Sequence, residues 1–494
     1  MSLISVNNLT FGYDGSLKNI FENVSFNIDT DCKLGLIGRN GKGKTTFLKL
    51  LLGKYEYQGA ISKKVEFDYF PFEVKNKERM AIEIVNEIAP NVEDWEIIRE
   101  LNLLNTDTEV LYRSFNLLSG GEQIKILLIS LFLKGNNFLL IDEPTNHLDI
   151  ETRNNLVNYL EKKKGFILVS HDRNFLDKVV NHIISINNTN IEIQQGNFSS
   201  WKENKNRQDN FEKIQNERLQ KDINRLEIAS KNCAKWSNEA EKTKNKKYNS
   251  ETTIDKGYIG HKADKMMKKS KVMEQRIEKA INEKTNLLKN IEVNDTLKII
   301  PLKSNKNPLI FAHNLQIKYS KETIFNPITF EVNNGDRVAL IGKNGIGKSS
   351  ILKLILGEEL QYNGEFMVAN DLKISYVSQS TEDLKGNLRT FAYDNKINES
   401  IFKAMLVKMG LSQFDFDTNI QDMSEGQKKK VLIAKSISEQ ANIYIWDEPL
   451  NYIDILTREQ IEDAILNYNP TIIFVEHDEK FIEKVATKII NLVK

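Results

Sequence analysis

The sequence predicts an α/β fold made of two tandem copies of one domain, joined by a long antiparallel α-helical hairpin. The first observation is an internal duplication: 304 residues separate Lys44 from Lys348 in one repeated motif, and 306 separate His171 from His477 in another. The second observation is a middle stretch that resembles neither copy and carries apolar residues at helical spacing. The predicted boundaries are 1–195 for the first copy, 196–300 for the hairpin and 301–494 for the second copy.

Length and composition narrow the class of protein. A chain of 494 residues with 40% hydrophobic and 28% charged residues is long enough for two or more globular domains. Its two cysteines, Cys32 and Cys233, cannot form a disulfide framework and lack the spacing of metal ligands, which favours a reducing cytosol. We expect a cytoplasmic protein without a membrane segment, because the sequence has no evident secretory signal and no run approaches ~18 apolar residues.

Each copy contains a phosphate-binding loop between an apolar, strand-like run and a helical run. The loops are GRNGKGKTT, residues 38–46, and GKNGIGKSS, residues 342–350, which match G-x-x-x-x-G-K-[ST]. Their glycines let backbone N–H groups surround phosphates, the lysine brings positive charge to the outer phosphates, and the next hydroxyl reaches Mg²⁺. The predicted nucleotide-binding residues are Gly38, Asn40, Gly41, Gly43, Lys44, Thr45 and Thr46, and in the second copy Gly342, Asn344, Gly345, Gly347, Lys348, Ser349 and Ser350.

Two acidic residues end a second apolar strand in each copy, and a histidine follows a third strand. The aspartate is placed to hold Mg²⁺, the glutamate to orient or deprotonate the attacking water, and the histidine to contact the γ-phosphate. Purely structural roles, such as solvation of a strand end, are the alternative. The predicted metal ligands are Thr45, Asp142, Ser349 and Asp447, and the predicted catalytic residues are Glu143, His171, Glu448 and His477.

A serine and two glycines precede a helical run in the first copy. Such a helix start binds anions, but it cannot serve phosphates that the loop of its own copy already surrounds, so we expect it to face the nucleotide of the other copy. The second copy carries Glu425 in place of the first glycine, and a carboxylate beside a γ-phosphate is unfavourable unless it points away. The two sites are therefore predicted to be unequal. The residues predicted to bind nucleotide here are Ser119, Gly120, Gly121 and Glu122, and in the second copy Ser424, Gly426 and Gln427.

These motifs resemble those of the ABC ATPase family, whose signature is LSGGE or LSGGQ and whose extended Asp-Glu motif matches DEPTNHLD, residues 142–149. The resemblance implies an ABC-type fold for each copy, hydrolysis of ATP to ADP and phosphate, and pairing of the two copies within one monomer. It also implies Gln379 as a further Mg²⁺ ligand, whereas the first copy carries Phe72 at the corresponding place. Tyr13 and Tyr319, at equivalent early positions, are candidates to stack on adenine, and packing in the core is the alternative.

The middle stretch predicts two long helices. Ser200 to Glu203 fits a capping box, and apolar residues then recur at helical spacing as far as Trp236. The pattern fails between Asn245 and Ile259, where polar residues dominate, and resumes from Met266. We predict a first helix of about 44 residues, roughly 65 Å long at ~1.5 Å per residue, and a polar tip at 245–259.

Charge is distributed unevenly along the chain. Residues 196–300 contain 24 Lys and Arg against 16 Asp and Glu, a surplus of eight, so the rest of a chain with a net charge of +1 carries seven excess negative charges. A solvated helical face is one interpretation, and a polyanionic partner is the other. The positive charge is densest around the predicted tip, at Lys242, Lys244, Lys246, Lys247, Lys256, Lys262, Lys265, Lys268, Lys269 and Lys271.

Two uninterrupted cassettes, no membrane segment and a charged helical linker resemble the ABC-F family. Members of this family bind ribosomes, and their linker enters the tRNA exit site with its tip near the peptidyl-transferase centre. The resemblance implies the 70S ribosome as partner, with contacts to 23S rRNA and to exit-site and P-site tRNA. Tip lysines suit such a partner because they neutralise phosphates. No DNA partner is expected.

Within ABC-F, the segment from Gly257 to Lys271 and the altered signature are most similar to antibiotic-resistance members. These protect ribosomes against lincosamides, streptogramin A compounds and pleuromutilins, and the resemblance implies that the tip dislodges the drug. One alternative is a housekeeping ABC-F translation factor that regulates the state of tRNA and ribosome. The other alternative is the ATPase subunit of a transporter with a separate membrane partner.

Overall fold

A computed structural model defines the architecture. It describes residues 3–13, 19–135, 137–146, 148–187, 190–244, 265, 268, 271–273, 275–277, 279–280, 296–319 and 322–494. The chain forms two compact units, one made of residues 1–201 with 294–494 and the other of residues 202–293. The first unit holds both copies of the duplicated domain, here called the first and second cassettes, and the second unit is the helical linker.

The first cassette has two sheets. Its strands are β1 (Leu3–Phe11), β2 (Phe21–Asp29), β3 (Lys33–Ile37), β4 (Gln58–Ser62), β5 (Glu66–Phe70), β6 (Asn137–Asp142), β7 (Phe166–Val169), β8 (His182–Asn187) and β9 (Asn190–Gln195). An antiparallel sheet has the order β2-β1-β4, and a larger sheet, parallel apart from β9, has the order β5-β6-β7-β3-β8-β9. Its helices are α1 (Lys44–Leu51), α2 (Ala81–Ile88), α3 (Asp94–Leu103), α4 (Gly120–Leu133), α5 (Ile150–Leu160) and α6 (Arg173–Val179), with 3-10 turns at Thr108–Tyr112 and Phe115–Leu117.

The parallel strands are apolar throughout because helices cover both faces of the sheet. Along β6, Phe138 and Leu140 pack in one core with α1, whereas Leu139 and Ile141 pack in another core with α4. The strand register pairs Asp142 with Val169. The carboxyl ends of β3, β6 and β7 therefore meet at one edge of the sheet, where ligands bind in open α/β folds.

The linker unit begins with one long helix, α7 (Phe198–Lys244), of 47 residues, which is about 70 Å at ~1.5 Å per residue. The predicted capping box at Ser200 is wrong, because Asn197 Oδ1 accepts hydrogen bonds from the Ser200 N–H at 3.0 Å and the Ser200 hydroxyl at 2.8 Å. Glu203 instead pairs with Arg207 at 2.6 Å, one turn further on.

The described residues between 265 and 280 are also helical. Leu226 of α7 lines one cavity with Val272 and Met273, and Ile223 and Ile277 are both buried. The two helical segments therefore lie side by side, as the predicted hairpin requires. Its predicted tip, 245–259, lies outside the described residues.

The second cassette repeats the plan. Its strands are β10 (Ile310–Tyr319), β11 (Glu322–Thr323), β12 (Ile328–Val332), β13 (Arg337–Ile341), β14 (Gln361–Val368), β15 (Ile374–Val377), β16 (Ile443–Asp447), β17 (Ile472–Val475) and β18 (Lys488–Asn491). Its helices are α8 (Lys348–Ile355), α9 (Leu388–Asp394), α10 (Glu399–Lys408), α11 (Glu425–Ser438), α12 (Ile455–Tyr468) and α13 (Glu479–Val485), with 3-10 turns at Gln413–Asp417 and Ile420–Asp422. The parallel sheet has the order β15-β16-β17-β13-β18, which matches β5-β6-β7-β3-β8, so the predicted α/β class and tandem duplication are confirmed.

Two further predictions concern membrane segments and the domain boundaries. In the described part of the chain, no helix is both long enough and apolar enough to cross a bilayer. The domain boundaries at residues 195 and 300 stay predictions.

Candidate active sites

The phosphate-binding loop of the first cassette connects β3 to α1. Gly43 has φ 92°, and a Cβ there would lie 2.5 Å from the Ile20 side chain, so only glycine fits. The Lys44 ammonium donates to Gly38 O at 2.7 Å and to Asn40 Oδ1 at 3.2 Å, which folds the loop around it. Burial lowers the pKa of Lys44, against the opposing effect of nearby carboxylates.

The loop of the second cassette has the same construction between β13 and α8. Gly347 has φ 101°, and a Cβ there would lie 3.2 Å from the Phe325 ring. Lys348 donates to Gly342 O at 2.8 Å and lies 3.5 Å from Asn344 Oδ1, and burial lowers its pKa as well. Both loops thus hold a buried ammonium directed into a ring of backbone groups.

A hydroxyl and a carboxylate come together beside each lysine, as predicted for the metal ligands. In the first cassette, Asp142 Oδ2 accepts from Thr45 Oγ1 at 3.0 Å and from the Tyr69 hydroxyl at 2.9 Å. In the second cassette, burial raises the pKa of Asp447, and a hydrogen bond with Ser349 offsets part of this rise. Oδ1 of Asp447 is buried and has no hydrogen-bond partner among the residues that the structure describes, which suits a cation ligand.

Tyr69 is a site residue that the sequence reasoning missed. It lies on β5, 73 residues before Asp142, and burial followed by the Asp142 carboxylate raises its pKa well above the ordinary value. Its counterpart Tyr376 lies next to Asp447, and burial together with that carboxylate raises the pKa of Tyr376 to about 12. The repeat itself contained the signal, because both tyrosines are one residue from the end of matching strands.

The predicted catalytic glutamates directly follow β6 and β16. Both adopt the left-handed backbone conformation, with φ 51° at Glu143 and 46° at Glu448, which costs free energy in residues other than glycine. A histidine lies beside each: His171 Nε2 is 3.2 Å from Glu143 Oε1, and His477 Nε2 is 3.5 Å from Glu448 Oε1. Burial lowers the pKa of both histidines, so both are neutral near pH 7.

The two glutamates differ in their own hydrogen bonds. Neither carboxylate oxygen of Glu143 receives an aligned hydrogen bond from a described residue. Burial, and then the adjacent Asp142 carboxylate, raise the pKa of Glu143 to about 8. Glu448 Oε2, in contrast, accepts a hydrogen bond from Asn451 Nδ2 at 2.7 Å.

Both signatures begin a helix with a capping box. Ser119 Oγ accepts the N–H of Glu122 at 3.3 Å, and Glu122 Oε2 accepts the N–H of Ser119 at 2.8 Å. Ser424 and Gln427 make the same two bonds at the start of α11, at 3.3 and 2.9 Å. The serines therefore fix the helix start, a role that the S-x-x-[EQ] spacing in the sequence could have indicated.

Each phosphate-binding loop lies against the other cassette. Asn40 Nδ2 donates to Tyr452 O at 2.6 Å, and a Cβ on Gly426 would lie 2.5 Å from the same nitrogen. In the opposite pair, Lys343 forms a 2.8 Å ion pair with Glu151, next to the Asp149 cap of α5. The structure thus brings the first loop to the second signature.

Glu425 points away from the first loop, which resolves the expected conflict with a phosphate. Its Oε2 accepts from Thr381 Oγ1 at 2.5 Å, and its Oε1 pairs with Lys428 at 3.0 Å. Burial raises the pKa of Glu425, but these two hydrogen bonds outweigh it, so the net shift is downward. In the first cassette, Gly120 occupies the position of Glu425 and Val74 occupies the position of Thr381, so the hydrogen bond between these side chains has no equivalent there.

The remaining predicted residues are placed as follows. Gln379 is exposed two residues after β15, and Phe72 is likewise exposed two residues after β5. The Tyr13 hydroxyl lies 2.8 Å from Thr46 Oγ1, and its ring packs edge-on against Phe11. The Tyr319 side chain lies outside the described residues.

An arginine pair behind the histidines was also missed. Arg153 contacts Asp172 at 3.2 Å in its own cassette and donates to His477 O at 3.0 Å in the other. Arg458 contacts Asp478 at 3.0 Å in the second cassette. The buried Arg153 guanidinium therefore joins the two cassettes next to His477, whereas Arg458 also bonds to Ile453 O and Leu450 O of its own cassette.

Comparisons with known proteins agree with this architecture. The sequence model of the ABC transporter family matches residues 21–146 and 325–451, just over half of the chain. The chain is 30% identical to the ATP-binding protein Uup of Buchnera aphidicola subsp. Acyrthosiphon pisum (strain APS), over 99% of this chain and 80% of that protein. It is 28% identical to the ribosome protection protein VmlR of Bacillus subtilis (strain 168), over 96% of this chain and 84% of that protein.

Among solved structures, the chain resembles one in the crystal structure of the complex of archaeal ribosomal stalk protein aP1 and archaeal ribosome recycling factor aABCE1. The TM-score is 0.62 at 18% identity, over 98% of this chain and 87% of that chain, a likeness of fold. With two complete cassettes and a helical unit between them in the sequence, this chain is an ATPase that belongs to the ABC-F family.

Proposed function

We propose that this protein is an ATP-dependent ribosome-binding factor that protects the peptidyl-transferase centre from lincosamides, streptogramin A compounds and pleuromutilins. The observation that carries the proposal is the contact of the first phosphate-binding loop with the second signature, at Asn40 and Gly426, in a chain that also holds a long basic helical unit. Two ATP molecules close the cassettes, and closure directs the linker into the vacant exit site. The tip then reorients P-site tRNA or 23S rRNA and dislodges the drug.

The chemistry at each site follows from the side chains beside each loop. Mg²⁺, when bound between phosphates and protein, neutralises the charge that develops on the transferred phosphoryl group. Thr45 with Asp142 would hold it in the first site, and Ser349, Asp447 and Gln379 would hold it in the second. Glu143 and Glu448 orient and deprotonate the attacking water. The neutral His171 and His477 donate a hydrogen bond to the γ-phosphate.

Ribosome binding is supported by charge and by relationship. The linker carries eight excess positive charges, and lysines on its described faces, such as Lys213, Lys221 and Lys268, are exposed. Lysines at such positions neutralise RNA phosphates and make binding salt-dependent. One relative of similar length is named a ribosome protection protein. A cytoplasmic location follows from this partner.

The test uses a protein trapped in the ATP-bound state. Glu143→Gln with Glu448→Gln should co-sediment with 70S ribosomes in ATP, and binding should weaken steeply between about 50 and 200 mM salt. The matched control is Lys44→Ala with Lys348→Ala, which removes the phosphate contacts and should stay in the supernatant. A trapped protein that does not pellet with ribosomes would refute the proposal.

A second experiment separates protection from a general role in translation. Expression in a susceptible host should raise resistance to lincomycin and tiamulin and leave an unrelated antibiotic unaffected. Deletion of residues 245–259 should abolish this protection while ATP hydrolysis persists. Ribosome binding without protection would contradict the proposed resistance function and favour a housekeeping translation factor.

A further inference from the structure

The signature helix of the second cassette carries a buried lysine behind the catalytic carboxylate. Lys429 lies on α11 and is only 2% exposed. Its ammonium donates to Glu448 O at 3.2 Å and to Ser378 O at 3.0 Å. Ser378 immediately precedes Gln379, so one side chain contacts the backbone of the catalytic glutamate and the backbone next to a predicted metal ligand.

A buried carboxylate balances this lysine. Burial lowers the pKa of Lys429 against the opposing effect of Glu476, and burial raises the pKa of Glu476 to about 7. Glu476 is 3% exposed, accepts the N–H of Leu450 at 2.7 Å, and accepts the N–H of His477 at 3.1 Å. Lys429 and Glu476 together therefore hold the carbonyl of Glu448, the N–H of Leu450 two residues later and the N–H of the histidine that faces Glu448.

The first cassette lacks both charges. Ile124 occupies the position of Lys429 and packs against the apolar core, and Ser170 occupies the position of Glu476. The Ser170 hydroxyl lies 3.2 Å from Thr145 Oγ1 and accepts the N–H of Asp172 at 3.1 Å. The two positions therefore differ together: an apolar residue and a hydroxyl in the first cassette correspond to a buried lysine and a buried carboxylate in the second.

We propose that Lys429, balanced by Glu476, is a positioning residue for ATP hydrolysis at the second site. It holds Glu448 in its left-handed backbone conformation and ties it to the segment that carries Gln379. Because a shift of about 1 Å in a catalytic group can cost up to about a hundredfold in rate, this anchor sets the turnover of the second site. The inference rests on the proposed role of Glu448 as the catalytic carboxylate.

The test exchanges both charges for the residues of the first cassette. Lys429→Ile with Glu476→Ser leaves no unpaired buried charge, which avoids the large destabilisation of a single substitution. In a Glu143→Gln background, only the second site hydrolyses ATP. The double exchange should lower kcat about tenfold, change KM for ATP less than twofold, and raise the half-saturating Mg²⁺ concentration several-fold.

A second variant guards against misfolding. Lys429→Met with Glu476→Gln preserves side-chain size and should show the same loss of kcat and the same rise in the half-saturating Mg²⁺ concentration. A general loss of structure would instead raise KM and lower the thermal midpoint along with kcat. The proposal is overturned if both pairs of substitutions leave kcat and the Mg²⁺ dependence within twofold of the Glu143→Gln parent.

Failure of the underlying assignment would look different. If Glu143→Gln with Glu448→Gln still hydrolyses ATP at the rate of the Glu143→Gln parent, Glu448 is not the catalytic carboxylate. That result would refute the proposed chemistry independently of the Lys429 variants, because it is measured in a protein that retains Lys429.

Discussion

The two candidate sites share one backbone plan and differ in the charges placed around it. Glu143 and Glu448 both hold a left-handed backbone and both lie within 3.5 Å of a histidine. The Glu143 carboxylate receives no aligned side-chain hydrogen bond from a described residue, and burial, followed by the adjacent Asp142, raises its pKa to about 8. Around Glu448 an amide from Asn451 and an ammonium from Lys429 hold the residue by its side chain and its carbonyl.

This comparison shows which features the duplication retained. Features that depend on the backbone, such as glycine in the loops and strand register at the sheet edge, are the same in both cassettes. Buried side chains divide into two groups: the histidines and their glutamates are retained, whereas Ile124 and Ser170 correspond to Lys429 and Glu476. A glutamate that is already oriented and hydrogen-bonded needs less reorganisation to act as a base, so the second site is expected to turn over faster.

The largest expected effect compares the two glutamates that we propose as catalytic, Glu143 and Glu448. Removal of a general base slows its own site about a hundredfold or more, so each single variant reports the rate of the other site. Glu143→Gln should therefore retain most of the steady-state ATPase rate, and Glu448→Gln should retain only a small part of it. Phosphate release measured with saturating ATP and Mg²⁺ checks this order. Equal residual rates, or the reverse order, would break the comparison.

A second difference concerns stability. Lys430 and Asp454 form an ion pair at 2.6 Å with both side chains almost fully buried, whereas Lys125 and Asp149 occupy these positions in the first cassette and Asp149 is partly exposed. Lys430→Met should lower the free energy of unfolding by about 3–5 kcal/mol because it leaves Asp454 unpaired. Lys125→Met should cost less than about 1 kcal/mol. Urea unfolding of the two variants measures the contrast.

The pH dependence of that loss has a definite sign. Burial raises the pKa of Asp454, but Lys430 outweighs burial and holds it far below the ordinary value. A carboxylate with a lowered pKa in the folded state stabilises the protein above about pH 4 and loses this contribution as the pH falls further. The cost of Lys430→Met should therefore be constant between pH 6 and 8 and shrink below about pH 4. A cost that grew on acidification would contradict the assignment.

A smaller effect is expected from the altered signature. Glu425 immediately precedes Gly426, where an added Cβ would lie 2.5 Å from Asn40 Nδ2 of the first loop. Burial, followed by the Glu425 carboxylate, raises the pKa of Tyr452, whose carbonyl binds the same asparagine. Glu425→Gly restores the residue of the first signature and removes a partly screened negative charge beside the first site. In a Glu448→Gln background, KM for ATP should fall about two- to threefold. Glu425→Gln is the matched control, and it should give the same fall if charge is the cause.

Much of this molecule could be predicted from its sequence, because loops, strand ends and helix starts make local demands on residue type. The two phosphate-binding loops, the carboxylates and the histidines are predicted in this way, and the structure places them together at the sheet edge of each cassette. Contacts between distant segments could not be found. Tyr69 reaches Asp142 across 73 residues, and the sequence around either residue does not indicate this contact, although the matching Tyr376 shows that the position is repeated. Lys429 belongs to the basic run of residues 428–430. Such a run predicts exposed side chains, whereas the structure buries Lys429.

The start of α7 teaches the same lesson on a local scale. Ser200 and Glu203 have the spacing of a capping box, yet Asn197 takes the cap position three residues earlier. Asparagine and serine are both favoured at the cap position of a helix, so the sequence alone does not show whether Asn197 or Ser200 caps α7. The decision comes from Ser199, which is held by Asp177 of α6 at 2.6 Å and so starts the helix earlier.

The smallest expected effect tests the two loop contacts across the cassettes. Asn40 uses its side-chain amide to reach Tyr452 O, whereas Asn344 approaches Asp149 through its backbone N–H, at 3.5 Å. Alanine removes the first contact and retains the second, and it removes the contact with the loop lysine in both sites, so that the contact between cassettes is the difference. Because one hydrogen bond contributes about 1 kcal/mol, Asn40→Ala should weaken ATP binding at the first site about fivefold. Asn344→Ala should weaken the second site less than twofold, with each measured as KM while the other site carries its Glu→Gln change. Equal losses would mean that the cassettes close symmetrically, and the unequal turnover would then have to arise from the carboxylates alone.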